Sequence, residues 1–358
     1  MSSMTQWIDR SPGFDIDAPV LRVCDVHASF RTRSEFVRAV RGVSFDLARG
    51  ERIGIVGESG SGKSALALAI AGLLEPPGQV ERGEIWMAGQ DLLQLTERAM
   101  RAHRGKRIGF IFQDALAGLN PVKTIGSQIA ECIRTHEPAA SKSAAQRRAV
   151  ELLTEVGITG AERRVNEYPH QLSGGMRQRV MIAMAIANEP DLVIADEPTT
   201  ALDVTTQAQI LRLLERMAAS RGCAVIFITH DLGIVAGFCQ SVCVMYAGRV
   251  VERASVDEIF ANPIHPYTEA LLRAIPRPGA GKGAGRLMEI GGAPPNLALL
   301  PAGCSFEPRC PLGRGKEVCV DEAPEAVSLR GDSPSPMAEC HFARDRFSAL
   351  AERRRVDP

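Results

Sequence analysis

The 358-residue chain carries 42 lysines and arginines against 42 aspartates and glutamates, so it presents no global basic field of the kind that nucleic-acid binding draws on. Its length allows one large domain with an appendage and a sizeable buried core. No apolar run approaches the roughly 18–20 residues of a spanning helix, and residues 1–20 hold acidic groups without the apolar stretch of a secretory signal, so any membrane association is expected to come through partners.

Residues 1–19 read as a leader. Residues 21–30 and 43–47 alternate apolar and polar side chains at strand period. Phe30 and Phe36 stand in this region; most such aromatics are core residues, and Phe30 is the candidate stacking surface for a purine base. Residues 52–56 (Arg-Ile-Gly-Ile-Val) read as a short buried strand and 65–73 as an Ala/Leu helix. Between them Gly57-Glu58-Ser59-Gly60-Ser61-Gly62-Lys63-Ser64 fits G-x-x-x-x-G-K-[ST] at every defined position. In such a loop the glycines let backbone N–H groups turn inward onto phosphates, and the helix that follows aims its N-terminal dipole at them. Lys63 is expected to reach the β- and γ-phosphates and Ser64 to ligate Mg²⁺. Gly57, Ser59, Gly60 and Gly62 complete the cradle.

Residues 83–89 and 107–112 read as further strands, with Gln113 at the end of the second. From about 114 to 172 strand signals vanish and apolar residues recur at helical spacing within 125–133 and 144–156, which predicts a helical insert in an α/β domain. The α/β pattern resumes with a helix over 175–188, stopped at Pro190, then a central strand over 192–195. Asp196-Glu197 follows that strand directly. Paired with a phosphate loop, Asp196 suits Mg²⁺ binding through its water shell, and Glu197 suits orienting and activating the attacking water. A helix over 205–220, a strand over 224–228 and a hairpin around Ala247-Gly248 complete the pattern. Gln113, Asp196, Glu197 and His230 all come at C-terminal strand ends, the edge where open parallel sheets gather ligand groups; Gln113 is a candidate for Mg²⁺ and for catalysis, His230 for a γ-phosphate contact. Residues 277–286 are a linker by composition, and the chain has no long internal repeat.

Leu172-Ser173-Gly174-Gly175-Met176-Arg177-Gln178-Arg179 opens a second helix with an anion-binding start. It resembles the signature of ABC-type ATPases, and Ala201-Leu202-Asp203 resembles their D-loop, in the family's order: phosphate loop, Gln113, signature, Asp196-Glu197, Asp203, His230. The resemblance covers roughly residues 20–260. It implies an α/β fold with a parallel core sheet, an antiparallel β subdomain and a helical insert, here followed by a small cysteine-rich C-terminal domain over 263–345 and a tail over 346–358. It further implies a head-to-tail dimer in which Ser173, Gly174 and Gly175 act on ATP held by the other subunit.

Flanking segments narrow the resemblance. Leu119-Asn120-Pro121, His265-Pro266-Tyr267-Thr268-Glu269-Ala270 and Pro301-Ala302-Gly303-Cys304-Ser305-Phe306-Glu307-Pro308-Arg309-Cys310-Pro311 are similar to segments of dipeptide, oligopeptide and nickel importer ATPases. Two departures are small: residues 115–118 replace a more usual Pro/Ser-containing run, and Thr200 stands where Ser is common. The family implies a second homologous ATPase subunit, two membrane permeases, an extracytoplasmic solute-binding protein and a place on the cytoplasmic face of the bacterial membrane. The rival class is a non-transport ABC ATPase.

Cys24, Cys132, Cys223, Cys239 and Cys243 are scattered among apolar neighbours, whereas Cys304, Cys310, Cys319 and Cys340 cluster as C-x5-C-x8-C-x20-C. That segment has few large apolar residues and could use a staple. Zinc is one reading, although its structural sites favour close C-x2–4-C pairs; a [4Fe–4S] cluster tolerates wider spacing and is what the resemblance implies; four reduced, buried thiols are the third.

Overall fold

The computed structural model describes residues 19–31, 35–115, 118–200, 202–275, 290–330 and 336–356. Residues 1–18 of the expected leader, Leu116, Ala117, Ala201 and the linker over 277–286 lie outside the described residues. The strands are β1 (Leu21–Arg31), β2 (Phe36–Leu47), β3 (Arg52–Val56), β4 (Gly78–Met87), β5 (Gln90–Asp91), β6 (Ile108–Ile111), β7 (Leu192–Asp196), β8 (Ala224–Thr229), β9 (Ser241–Tyr246), β10 (Arg249–Ser255), β11 (Ala326–Ser328) and β12 (Met337–Glu339).

They form two sheets. The smaller runs β2-β1-β4-β5 and is antiparallel; the larger runs β11-β12-β10-β9-β3-β8-β7-β6. Within the larger sheet β9, β3, β8, β7 and β6 are parallel, and β10, β12 and β11 add on antiparallel. Parallel strands are covered on both faces, which is why β8 is buried from end to end. Period-2 alternation deals their side chains to two cores. Ile53, Ile55, Ile194, Ile226, Ile228 and Met245 pack toward the antiparallel sheet and the helix Lys63–Ile70. Val193, Ala195, Val225, Phe227, Val242 and Val244 pack toward the opposite helices. Each such aliphatic side chain, fully buried, contributes on the order of 1.5–3 kcal/mol.

Between β6 and β7 the chain makes the expected helical insert, Ile125–His136, Lys142–Glu155 and Ala161–Arg164, followed by the helix Gly174–Ile186 with which the α/β pattern resumes. Three of these helices start on side-chain caps. Thr124 accepts from Ser127 N at 3.3 Å, Ser141 from Ala144 N at 3.1 Å, and Ser173 from Met176 N at 3.4 Å.

The C-terminal residues are more tightly integrated than their composition suggests. β12 pairs with β10, so the main sheet extends into the cysteine-bearing region. Tyr267, Phe306 and Cys310 belong to the same apolar core as Val193 and Phe227. Separate packing is confined to a small cluster of Ile264, Ala338, Cys340 and Ala343. Residues 343–356, expected in part as a tail, form the helix Ala343–Val356, tied back through Arg346 to Glu269 at 2.8 Å.

Candidate nucleotide site

β3 ends where the phosphate loop begins, and the loop runs straight into the helix Lys63–Ile70. Two of its glycines have no substitute. Gly62 caps the helix at φ +101°, and a Cβ there would fall 2.1 Å from the Ala39 carbonyl oxygen. At Gly57 a Cβ would fall 2.2 Å from the Met245 carbonyl oxygen. The loop is thus wedged between the start of β2 and the end of β9. The β9–β10 turn locks it further, because Gly248 N donates to Ser61 O at 2.9 Å. Lys63 is 6 % exposed and its Nζ donates to Gly57 O at 2.8 Å and Glu58 O at 2.9 Å. Burial pulls its ammonium below the usual lysine range, opposed by Glu197, Asp196 and Glu58.

Ser64 Oγ donates to Asp196 Oδ1 at 3.2 Å, joining the first helical turn to the end of β7. Burial pushes the Asp196 carboxyl above the usual aspartate range, against the hydrogen bond from Ser64. A buried carboxylate beside a hydroxyl is the donor set a hard cation takes, so Ser64 and Asp196 fit Mg²⁺. Glu197 sits next to it in the left-handed region, at φ +45°, a conformation costly for a residue with a Cβ and concentrated at functional sites. Its amide donates to Ile228 O at 3.0 Å, which fixes the turn against β8. Its carboxylate accepts from Gln113 Nε2 at 3.1 Å and Thr200 Oγ1 at 2.8 Å, both on Oε2, and meets His230 Nδ1 at 3.4 Å on Oε1. Gln113, Asp196, Glu197 and His230, drawn from three strand ends, therefore come together. A carboxylate oriented by three neighbours can take a proton from a water held in front of it.

The signature residues stand apart. Ser173 and Gly174 are exposed at the start of the helix Gly174–Ile186, and a Cβ at Gly174 would meet nothing within 4 Å. At Gly175 a Cβ would fall 2.8 Å from Thr206 Cγ2. Thr206 in turn is held by Asp203, whose carboxylate accepts from Thr206 N at 3.0 Å and from Thr206 Oγ1 at 2.7 Å, capping the helix Val204–Arg221. Signature and D-loop are thereby packed as one surface. Phe30 lies on β1 opposite Gly78, where an added Cβ would fall 2.7 Å from Phe30 Cε1; its ring occupies the space that glycine leaves.

Cys310, Cys319 and Cys340 are buried and Cys304 is partly so. Cys304 N donates to Cys319 O at 2.8 Å, and Gly313 N donates to Cys310 Sγ at 3.2 Å. A Cβ on Gly313 would lie 2.8 Å from Cys319 Sγ and 3.5 Å from Cys310 Sγ, so both sulfurs line one small space. Burial pushes the Cys304 thiol up to about 12, and Cys340, Cys319 and Cys310 add to the rise. Among the described residues no three His, Cys, Asp or Glu side chains are placed to hold a single metal ion.

Sequence reasoning missed the groups that reach the loop from afar. Thr200 donates to Glu197, yet only its substitution for serine had marked it. Tyr267 Oη accepts from Glu58 N at 2.9 Å, and Arg309 forms a two-pronged ion pair with the Glu58 carboxylate at 2.7 and 2.9 Å. Both stand inside segments singled out by resemblance, but nothing local signals where they point.

Residues 40–200 match the ABC transporter family, and residues 251–319 match the oligopeptide/dipeptide transporter C-terminal region. The probable peptide ABC transporter ATP-binding protein y4tR of Sinorhizobium fredii is 52% identical over 324 residues, covering 90% of this chain and 94% of that protein. The oligopeptide transport ATP-binding protein OppD of Bacillus subtilis is 53% identical over 288 residues, 80% of each chain. OppD of Mycobacterium tuberculosis is 52% identical over 332 residues, 93% of this chain, and the chain spans 54% of that longer relative. Among solved structures, the dimeric post-hydrolysis state of the ATP-binding cassette MJ0796 bound to ADP and Pi superposes with a TM-score of 0.61 at 30% identity, over 66% of this chain and 98% of that one. No helix among the described residues is long and apolar enough to cross a membrane. The chain belongs to the ATP-binding proteins of the ABC transporter family, and the relatives it matches are named for peptide, oligopeptide or dipeptide transport.

Proposed function

We propose that this chain is the ATP-hydrolysing subunit of a peptide importer, working on the cytoplasmic face of a bacterial membrane with two permeases, a solute-binding protein and a second cassette. The observation that carries the catalytic part is Glu197, strained and held by Gln113, Thr200 and His230, beside the Ser64–Asp196 pair. Residues 57–64 bind the phosphates of ATP, and Phe30 serves the purine. Ser64 and Asp196, with Gln113 nearby, would hold Mg²⁺, and the ion would supply neutralisation of phosphate charge. Glu197 takes the proton from the attacking water, and His230 orients both Glu197 and the γ-phosphate. Ser173, Gly174, Gly175 and Asp203 serve the nucleotide of the second cassette; the support is the exposure of Ser173, Gly174 and Asp203 in this chain and the dimeric cassette of similar fold. The helical insert passes closure and reopening of the dimer to the permeases.

Peptide cargo rests on what the relatives are called and on the match at residues 251–319. Nickel or another small solute is the alternative cargo. Reconstituting the chain with its permeases and binding protein decides: peptide-stimulated ATP hydrolysis is expected, and stimulation by nickel alone would replace the cargo. ATPase activity in the absence of any membrane partner on purification would favour the non-transport class.

The cysteine-rich region over 263–345 is proposed to hold a structural [4Fe–4S] cluster on Cys304, Cys310, Cys319 and Cys340, with zinc as the alternative. Supporting this are the small space that the Cys310 and Cys319 sulfurs both line and the N–H donated to Cys310 sulfur. The larger cage of four irons suits ligands too spread for one ion. Protein purified without oxygen should be brown, with about four irons per chain. Cys310→Ser should bleach it; stoichiometric zinc without iron would replace the cluster, and no metal at all would leave four buried thiols.

A further inference from the structure

We infer that the C-terminal region sets the phosphate loop: Arg309 and Tyr267 are positioning residues that hold Glu58, and ATP affinity depends on them. Every polar group of Glu58 is committed. Its N–H donates to Tyr267 Oη at 2.9 Å and its carbonyl accepts from Lys63 Nζ at 2.9 Å. Its carboxylate accepts both arms of Arg309, at 2.7 and 2.9 Å. The Arg309 side chain is 4 % exposed, so this fork is shielded from competing water, and such charge-assisted pairs fix geometry as well as charge.

The clamp is itself anchored. Arg309 Nε donates to Gly291 O at 2.9 Å, and its guanidinium lies 5.8 Å from the Tyr246 ring centroid. Tyr267, Tyr246 and Phe306 stack into one aromatic cluster with centroids 4.6 to 5.4 Å apart, at the end of β9. Pro294 and Pro295 line a cleft with Ser59, Gly60 and Ser61, so the same region also borders the loop's outer side. Arg309 is separated from Cys310 by one peptide bond and lies in the short turn Glu307–Arg309. Whatever orders that turn orders the clamp. A phosphate loop works by having its N–H groups preset, and Glu58 is the residue at which this loop is preset from outside.

The inference rests on residues 57–64 being the ATP phosphate loop. The test is ATP affinity in the full-length chain, with thermal stability and amide exchange across residues 57–62 measured alongside. Arg309→Ala and Glu58→Ala should each weaken ATP about tenfold, the scale of one charge-assisted hydrogen bond. The double variant should be no worse than the weaker single one, within about twofold, because both remove the same constraint. Arg309→Lys should recover only part, since an ammonium lacks the fork. Tyr267→Phe should speed exchange at the Glu58 amide and carries the test if Arg309→Ala fails to fold. In Arg309→Ala and Tyr267→Phe, saturating turnover in the assembled complex should change less than twofold. Lowered thermal stability with unchanged ATP affinity would overturn the inference and make the pair a staple, as would multiplicative losses in the double variant. Loss of binding in Lys63→Ala with none in Arg309→Ala or Tyr267→Phe would retain the loop and reject the clamp; no loss in Lys63→Ala would reject the loop itself.

Discussion

The chain opens two helices with glycine-rich starts, and they are built on opposite plans. The start at Lys63 is closed in: its loop is wedged between Ala39 and Met245, its lysine is buried, and partners from 200 or more residues away hold Glu58. The start at Ser173 is open: Ser173 and Gly174 are exposed, and the Ser173 side chain caps its own helix. By the same helix-end physics we propose both as anion sites. What differs is who completes them. The first is finished within the chain; the second has a bare rim, as a surface for another molecule should.

Mutations can break that contrast. The largest effect belongs to Glu197→Gln, which keeps the hydrogen-bonding shape but removes the base; turnover should fall on the order of 100-fold or more while ATP binding persists. Near-normal hydrolysis would move the base elsewhere. Lys63→Ala, on the closed start, should weaken ATP roughly 10- to 100-fold, the 1.5–3 kcal/mol scale of a hydrogen bond to a charged group; equilibrium binding to the purified chain reads this directly. Ser173→Arg, on the open start, should leave that binding intact and suppress nucleotide trapping only at the second cassette's loop, about a twofold loss in the assembled complex if both sites work. Trapping lost at this chain's own loop instead would mean that the open start is not open.

The smallest effect belongs to a residue of neither helix start and serves as their control. His103 is buried, its Nε2 bonds Gln90 at 3.1 Å, and its Nδ1 has no partner among the described residues. Burial, then Arg107, holds its imidazole below the usual histidine range. The unfolded chain therefore takes up the proton first, so this contribution to stability is complete above the ordinary histidine value of about 6.5 and is lost as pH falls toward the folded value. His103→Gln should flatten that acid limb by at most about 1.4 kcal/mol per pH unit, read from denaturation midpoints, with ATP affinity unchanged.

Much of the site was legible because its chemistry is written locally. The phosphate loop, Asp196-Glu197 and His230 each follow a short apolar strand, and β3 and β7 fall where a period-free apolar run places them. What escaped lacked such a run. β4 was expected only over 83–89; its first half, from Gly78 across Gln79, Glu81 and Arg82, holds residues a strand signal discounts and is extended because β1 supplies the pairing. β11 and β12 are three residues each, too short to show a period. Tyr267 and Arg309 escaped for a different reason: a contact 209 or 251 residues distant leaves no trace in spacing.

The pairing of β12 with β10 also bears on how the protein is made. On a ribosome the chain emerges N-terminus first, at roughly 5–20 residues per second. β10 is therefore out for several seconds before residues 337–339 arrive, and until then the main sheet ends in an unpaired row of N–H and C=O groups. An open edge of that kind is a template for pairing with a neighbouring nascent chain. A message that stops before β12 thus yields more than a cassette lacking Cys340: its products should pair edge to edge, and chaperone demand should peak in that interval.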